Sequence, residues 1–378
     1  MNRLSINRRE ALLAVGAYTF SGLAAGQSAK SSAGARSLTV AQVIDTSAGQ
    51  QDVSKDFVIG SRAAWQDINA KGGVRGRLVQ HQSIEVDGTA ASMKAAVASI
   101  RDNAACVVLS GTAGDIAAGQ LTAALRQDQI AIAHAAPWLQ NSSGEIDERT
   151  FPIFAARQEQ VAHALKSLSV MSVQEVGVIY ASSVEYAAYQ EDFSRTAADL
   201  KLRLQTYRAN GDLGQLGRKL TQTTPAILLF VGGTPELVQF TQGLETQSRQ
   251  RYVVALADVN LQTMMQMGAA RHTPVIATQA VPMVNATLPI VRKYREVLAR
   301  LFDEPPTPLS LAGFIAARYT YEVLNDIEGA MTRQNVLAAF QRRANVDIGG
   351  YRVTFDPRRR SGTFVTQSML TMDGRVIG

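Results

Sequence analysis

Ser110-Gly111-Thr112-Ala113-Gly114 offers two hydroxyls and a run of backbone N–H groups with little side chain in front of them. The five residues before it, 105–109, are all apolar, as a parallel strand buried on both faces reads. Asp115 then opens a helical pattern with Ile116, Leu121 and Leu125 on one side. A small-residue loop between a strand's carboxyl end and a helix N-terminus can hold an anion, because the first helical N–H groups lack intrahelical partners. The stretch reads equally as a strand-to-helix turn that binds nothing, so other residues have to decide.

No other group has the spacing of a catalytic or metal centre. His81, His134, His163 and His272 fall on separate elements and read as structural, with His134 alone in a candidate ligand loop. Gly211-Asp-Leu-Gly214-Gln-Leu-Gly217 has the wrong spacing for a nucleotide loop and opens a short helix instead of following a strand. Neither a Gly-x-Ser-x-Gly turn nor a P-loop occurs. Met264, Met265 and Met267 read as helix packing. The expectation is a protein that is not an enzyme and carries no metal or cofactor.

The elements that must position the loop alternate regularly. Leu38, Val40, Val43 and Ile44 mark a first strand, and 45–52 is a polar loop. A helix follows with Phe57, Gly60, Ala64, Trp65 and Ile68 inward, stopping at Gly72-Gly73. Residues 78–84, 105–109 and 130–133 are the next strands, with a helix carrying Met93, Val97 and Ile100 between the first two of these. The alternation predicts α/β architecture with a parallel sheet and right-handed crossovers. A second series has a helix over 159–170, strands at 176–180, 202–207, 226–230, 253–256 and 275–278, and a short helix over 212–220. Its loop 181–186 precedes a helix with Tyr189 and Phe193. Helices over 289–302, 310–328 and 333–344 and a hairpin within 363–377 complete the chain.

The chain has 378 residues, 46% hydrophobic and 19% charged, enough for two or three domains. Of its formal charge of +6, residues 1–36 carry +4, so the rest is nearly neutral and predicts no nucleic-acid partner. Arg358-Arg359-Arg360 after Asp356-Pro357 reads as a solvated turn. Residues 1–26 have a basic start, an apolar run and then small residues, which predicts a signal peptide and, with the linker to Arg36, a segment separate from the fold. Arg8-Arg9 hints at the twin-arginine route, while Asn7 and Ala11 leave the ordinary secretory route open. The single cysteine, Cys106, lies in an apolar strand and reads as a core thiol.

The stretch 57–77, above all Asp67-Ile68-Asn69-Ala70-Lys71-Gly72-Gly73 with Gly76, resembles the first helix and turn of the leucine/isoleucine/valine-binding proteins, and the order of elements agrees over about 38–378. These are type I periplasmic-binding receptors of ABC importers for branched-chain amino acids and amides. The resemblance implies a two-lobed fold, each lobe a largely parallel sheet flanked by helices, with three hinge crossings at 151–157, 279–282 and 349–354. Lobe 1 would comprise 37–156 and 280–349, and lobe 2 157–279 and 350–378, after the signal peptide and linker 1–36. It implies a periplasmic monomer that clamps a small amino acid, amide or carboxylate between the lobes and delivers it to a membrane permease. A sensor of the same fold is the alternative.

Carried over by position, Ser110, Gly111 and Thr112 match the loop that holds the ligand carboxylate. Ala135 and Ala136 match a second loop of the same lobe. Tyr186 and Asp258 approach from the other lobe, Asp258 to pair with a ligand ammonium. Pro137 stands where threonine is usual and Val231 where tyrosine is, which leaves the ligand's amine open, and Trp138 lines the cleft or packs a lobe.

Overall fold

Every residue of β1 (Leu38–Asp45) is buried, because helices cover both faces of its sheet. Leu38 and Val40 face one core, Ala41 and Val43 the other. The computed structural model describes residues 37–140, 147–209, 211–268, 272–342, 345–355, 362, 364–371 and 375–377. The expected signal peptide, the turn at Arg358-Arg359-Arg360 and parts of the C-terminal hairpin lie outside the described residues.

The first series runs α1 (Gln51–Ala70), β2 (Val79–Val86), α2 (Ala90–Asp102), β3 (Cys106–Ser110), α3 (Asp115–Gln127), β4 (Ala133–Ala135) and β5 (Thr150–Phe151). Its sheet has the order β2-β1-β3-β4-β5, parallel throughout. The second series runs α4 (Arg157–Val170), β6 (Glu175–Tyr180), α5 (Ser183–Asp199), β7 (Arg203–Arg208), α6 (Leu213–Lys219), β8 (Ile227–Val231), α7 (Thr234–Leu244), β9 (Tyr252–Ala255), α8 (Leu261–Gln266) and β10 (Val275–Gln279). Its parallel strands repeat the same order, β7-β6-β8-β9-β10. In each sheet the strand order reverses once, between β1 and β3 and between β6 and β8. Loops leave the carboxyl ends there in opposite directions and open a crevice.

The chain then returns to the first sheet. Helices α9 (Pro289–Leu301), α10 (Pro308–Asn325) and α11 (Arg333–Arg342) share the core of β1 and α1. Thr307 caps α10, its hydroxyl accepting from the Ser310 N–H at 3.1 Å, with Pro308 in the first turn. Helices α1 and α10 touch through Gly60 and Gly313. A Cβ at Gly60 would fall 1.7 Å from the Ser310 carbonyl oxygen, and one at Gly313 1.8 Å from that of Phe57. After α11 come β11 (Asn345–Ile348) and β12 (Tyr351–Thr354), and then β13 (Thr366–Leu370) and β14 (Val376–Ile377). β13 pairs antiparallel with β10, so the chain ends on the second sheet. The architecture is α/β with two lobes, each a largely parallel sheet flanked by helices, and the chain passes between them after β5, after β10 and between β12 and β13.

Several elements differ from expectation. α1 begins at Gln51, inside the expected polar loop. β4 starts at Ala133, so the buried Ile130 and Ile132 precede the ladder. Residues 349–354, expected as a plain crossing, belong to an antiparallel hairpin of β11 and β12. It turns at Gly349 and Gly350, whose φ of 59° and 93° favour glycine. Ile116 does not join Leu121 and Leu125 inside: five residues carry it about 140° around the helix, and it is 53% exposed. α5 begins at Ser183, so Tyr186 is helical and not in a loop.

Near the passages between lobes, the buried Tyr351 hydroxyl lies 2.8 Å from the Ile153 carbonyl oxygen and 3.5 Å from that of Ala280. Cys106 is buried, and burial pushes its thiol pKa up, as for an inert core thiol.

Candidate functional site

The loop after β3 is polar, yet its groups are committed within the protein. The Ser110 hydroxyl meets Thr320 of α10 at 2.7 Å. Gly111 has a φ of 66°, its N–H donates to the Ala135 carbonyl at 2.8 Å, and its carbonyl accepts from the Gln42 amide at 2.6 Å. A Cβ there would meet the Phe57 ring at 2.9 Å, so glycine lets the loop fold down onto α1. The Thr112 hydroxyl lies 2.8 Å from His134 Nε2. Thr122 donates to the Ala118 carbonyl at 2.8 Å and faces His134 Nδ1 at 3.4 Å. Because the Thr122 proton is already placed, the network assigns the imidazole proton to Nδ1 and leaves Nε2 to accept from Thr112. Burial pushes the His134 pKa down to about 3, so the ring is neutral.

The second loop of this lobe seats a tryptophan. Ala136 adopts a φ of 48° and its N–H donates to the Phe151 carbonyl at 2.9 Å. Pro137 follows, and the Trp138 N–H donates back to the Thr112 carbonyl at 2.8 Å. The indole packs against Phe57 and Phe154, with ring centroids 5.9 Å and 5.4 Å apart. Its Nε1 donates to Asp258 Oδ1 on the other lobe at 2.8 Å. Thr112, Ala135 and Ala136 thus form the wall behind Trp138.

Asp258 is 3% exposed and 9% of Arg157 is exposed. The guanidinium donates to Asp258 Oδ2, lies 4.0 Å from Asp115 Oδ2 and stands 4.6 Å over the Tyr189 ring. Burial alone would disfavour its charge, but Asp258, then Tyr189 and Asp115, outweigh that and raise its pKa, so it is a permanent cation. Its backbone N–H donates to the Gln140 carbonyl at 2.9 Å, and the Gln140 N–H donates to Asp115 Oδ1 at 2.7 Å. Gln160 of α4 donates to the Gln140 side chain, and its own oxygen accepts from the Ala257 N–H at 2.9 Å and Thr278 at 3.0 Å. A second bridge joins the lobes where Asn260 donates to Asp56 at 2.8 Å.

Beside this bridge lies a cavity of about 370 Å³. Gln50, Asp115, Thr122 and Leu139 line it from one lobe, Arg157, Val184 and Tyr189 from the other. It runs along α3 from Asp115 to Arg126 and meets the first turns of α5, the helices that follow β3 and β6. Ser110, Gly111, Thr112, Ala135, Ala136 and Asp258 are not on its lining. Tyr186 is turned aside: the Arg208 guanidinium covers its ring at 4.2 Å and Tyr180 meets it edge-on at 5.2 Å. The sequence assigned no ligand role to Arg157, Asp115 or Tyr189. A cation directly after the apolar run Phe154-Ala155-Ala156 was the one available signal for Arg157.

Among the described residues no cluster of three or more His, Cys, Asp or Glu side chains could hold a metal ion, and no helix is long and apolar enough to cross a membrane. Residues 37–372 match the family model for periplasmic binding proteins. No curated protein matches the sequence. Among solved structures, an extracellular ligand-binding receptor from Verminephrobacter eiseniae ef01-2 superposes with a TM-score of 0.80 at 17% identity, covering 90% of this chain and 100% of that one. A possible leucine/isoleucine/valine-binding protein from Rhodopirellula baltica SH 1 gives 0.77 at 18%, covering 91% and 97%. A branched-chain amino acid ABC transporter from Thermus thermophilus with bound valine gives 0.77 at 13%, covering 90% and 95%. At such identities the likeness is one of fold.

Proposed function

Because the chain belongs to the periplasmic binding protein family, we propose that it is the extracytoplasmic solute-binding receptor of an ABC importer. It holds a small amino acid, amide or carboxylate between its lobes and presents the loaded, closed form to a membrane permease. The observation that supports this reading is the cavity of about 370 Å³, lined from both lobes at the two points where strand order reverses. A ligand there touches α3 and α5 together and so favours the closed arrangement by its differential affinity.

In this reading Ser110, Gly111, Thr112, Ala135 and Ala136 form the rear wall that seats Trp138, and Asp258 fixes Arg157. Arg157, Asp115 and Tyr189 face the ligand, with Tyr186 supporting α5 from behind. The leader within Met1–Arg36 directs export, by the twin-arginine route that Arg8-Arg9 hints at or by the ordinary secretory route. Small-angle scattering and thermal melting across amino acids, amides and carboxylates test the receptor role. A ligand that compacts the particle and raises its melting temperature is expected. An unchanged profile and melting temperature across the whole panel would overturn it.

A further inference from the structure

Arg157 places a fixed guanidinium against Asp258, which is buried. Both Asp258 oxygens are taken by this chain, Oδ1 by Trp138 at 2.8 Å and Oδ2 by Arg157. Asp115 accepts from the Gln140 N–H at 2.7 Å and faces the same guanidinium at 4.0 Å. Glu185 accepts from the Ser182 hydroxyl within its own helix cap. An ammonium entering the cavity would lose its hydration beside a cation that already holds the desolvated carboxylate. A carboxylate entering the cavity meets Arg157.

The rest of the lining is largely apolar. Ile116 of α3 and Val184 of α5 are 53% and 73% exposed, and both line this cavity from opposite lobes together with Leu139. A single exposed apolar side chain means little, whereas two that face one small cavity from both sides match the apolar body of a molecule.

We propose that the cleft takes an amine-free carboxylate with an apolar body, the carboxylate paired with Arg157 and the body held by Ile116, Leu139 and Val184. This rests on the receptor reading and names its ligand class. Arg157 thereby acts as a built-in counterpart of an amino acid's ammonium, and it excludes zwitterions.

Arg157→Gln would strip Asp258 of its counter-ion and threaten folding, so a cavity-filling variant carries the test. Gly119 lines the cavity on α3, and a Cβ there meets nothing within 4 Å, so the Gly119→Leu side chain starts from open space at the lining. Calorimetry and scattering on the purified protein compare hexanoate with norleucine, 4-methylpentanoate with leucine, and 3-phenylpropanoate with phenylalanine. At least one acid is expected to bind about a hundredfold or more tighter than its amino partner. Gly119→Leu should weaken that acid at least tenfold without lowering the melting temperature of the unliganded protein.

An amino acid binding as tightly as its matched acid overturns the ligand class and leaves the receptor reading standing. Acid binding that Gly119→Leu leaves intact overturns the placement, again without touching that reading. Binding by no member of any pair overturns the inference. An amide or other solute that still compacts the lobes then keeps the receptor reading, and compaction by no solute overturns both.

Discussion

Trp138 and Asp258, 120 residues apart in sequence and on different lobes, share a hydrogen bond of 2.8 Å from the indole Nε1 to the carboxylate. The same carboxylate takes Arg157 on its other oxygen, so one buried aspartate joins a ring from one lobe to a cation from the other. Trp138→Phe keeps the packing on Phe57 and Phe154 but leaves Asp258 Oδ1 short of a donor. It should cost about 1.5–3 kcal/mol. Asp258→Asn leaves Arg157 buried without a full counter-charge and should cost about 3–5 kcal/mol. Urea unfolding of both variants checks this, and an Asp258→Asn midpoint equal to the parent's would refute the ion pair's contribution.

Acid should destabilise the fold through the buried His134 and the half-buried His81. Burial pushes the His134 pKa from 6.5 down to about 3, while burial and then Arg62 bring His81 from 6.5 to about 4. Below pH 6.5 the unfolded chain binds these protons and the folded chain does not. Stability is therefore full above 6.5 and declines as pH falls toward about 4, at up to about 1.4 kcal/mol per pH unit for each histidine. Urea midpoints at pH 7, 6 and 5 should show the decline, and His134→Gln should make it shallower. A flat wild-type profile over that range would contradict the assignment of neutral rings.

Asn69 closes the turn after α1 with two bonds to Val79, donating to its carbonyl and accepting from its N–H, each at 2.8 Å. Asn69→Ala strands both backbone groups beside the start of β2 and should cost about 2 kcal/mol. Ligand affinity should not change, because the turn is not part of the cavity lining. A fall in affinity at temperatures where the variant is fully folded would show that this turn does reach the cleft.

Two glycine substitutions should move stability in opposite directions. At Gly313 a methyl group would press on the Phe57 backbone at 1.8 Å, so Gly313→Ala should cost about 3 kcal/mol or more. At Gly119 the space is open, and Gly119→Ala should add up to about 1 kcal/mol through helix propensity. Thermal melting of the pair measures the contrast directly.

The stretch that carried the family resemblance proves to specify the fold, which is why the architecture was legible. Asp67 is buried among Lys71 at 2.7 Å, Arg300 at 2.8 Å and Lys293 at 3.6 Å, tying α1 to α9. Burial would raise its pKa, but the bonds from Lys71 and Arg300 hold it below the ordinary carboxylate value. Gly72, Gly73 and Gly76 supply positive φ in the turn that leads to β2. The Lys71 contact and the glycine turn follow from local spacing, whereas Lys293 and Arg300 reach Asp67 from α9. The ligand-facing groups follow from no local pattern. Arg157 finds its carboxylate 101 residues away, and no periodicity records such a pairing. Tyr186 and Tyr189 differ by less than one turn of α5, so choosing between them needs the helix's rotation about its axis, which tertiary packing sets. Ile116 likewise reads as core until its rotation is known.

The Tyr351 phenol near the lobe junction has a mechanical consequence. Ile153 follows β5, Ala280 follows β10, and Tyr351 stands at the start of β12, so one hydroxyl reaches the first two connecting segments from the hairpin that precedes the third. A phenol has a single proton to share between two carbonyls, and burial raises its pKa, so the proton stays on. Segments gathered on one pivot cannot slide past each other separately. A shift of either segment is then felt at the other through a single hydroxyl.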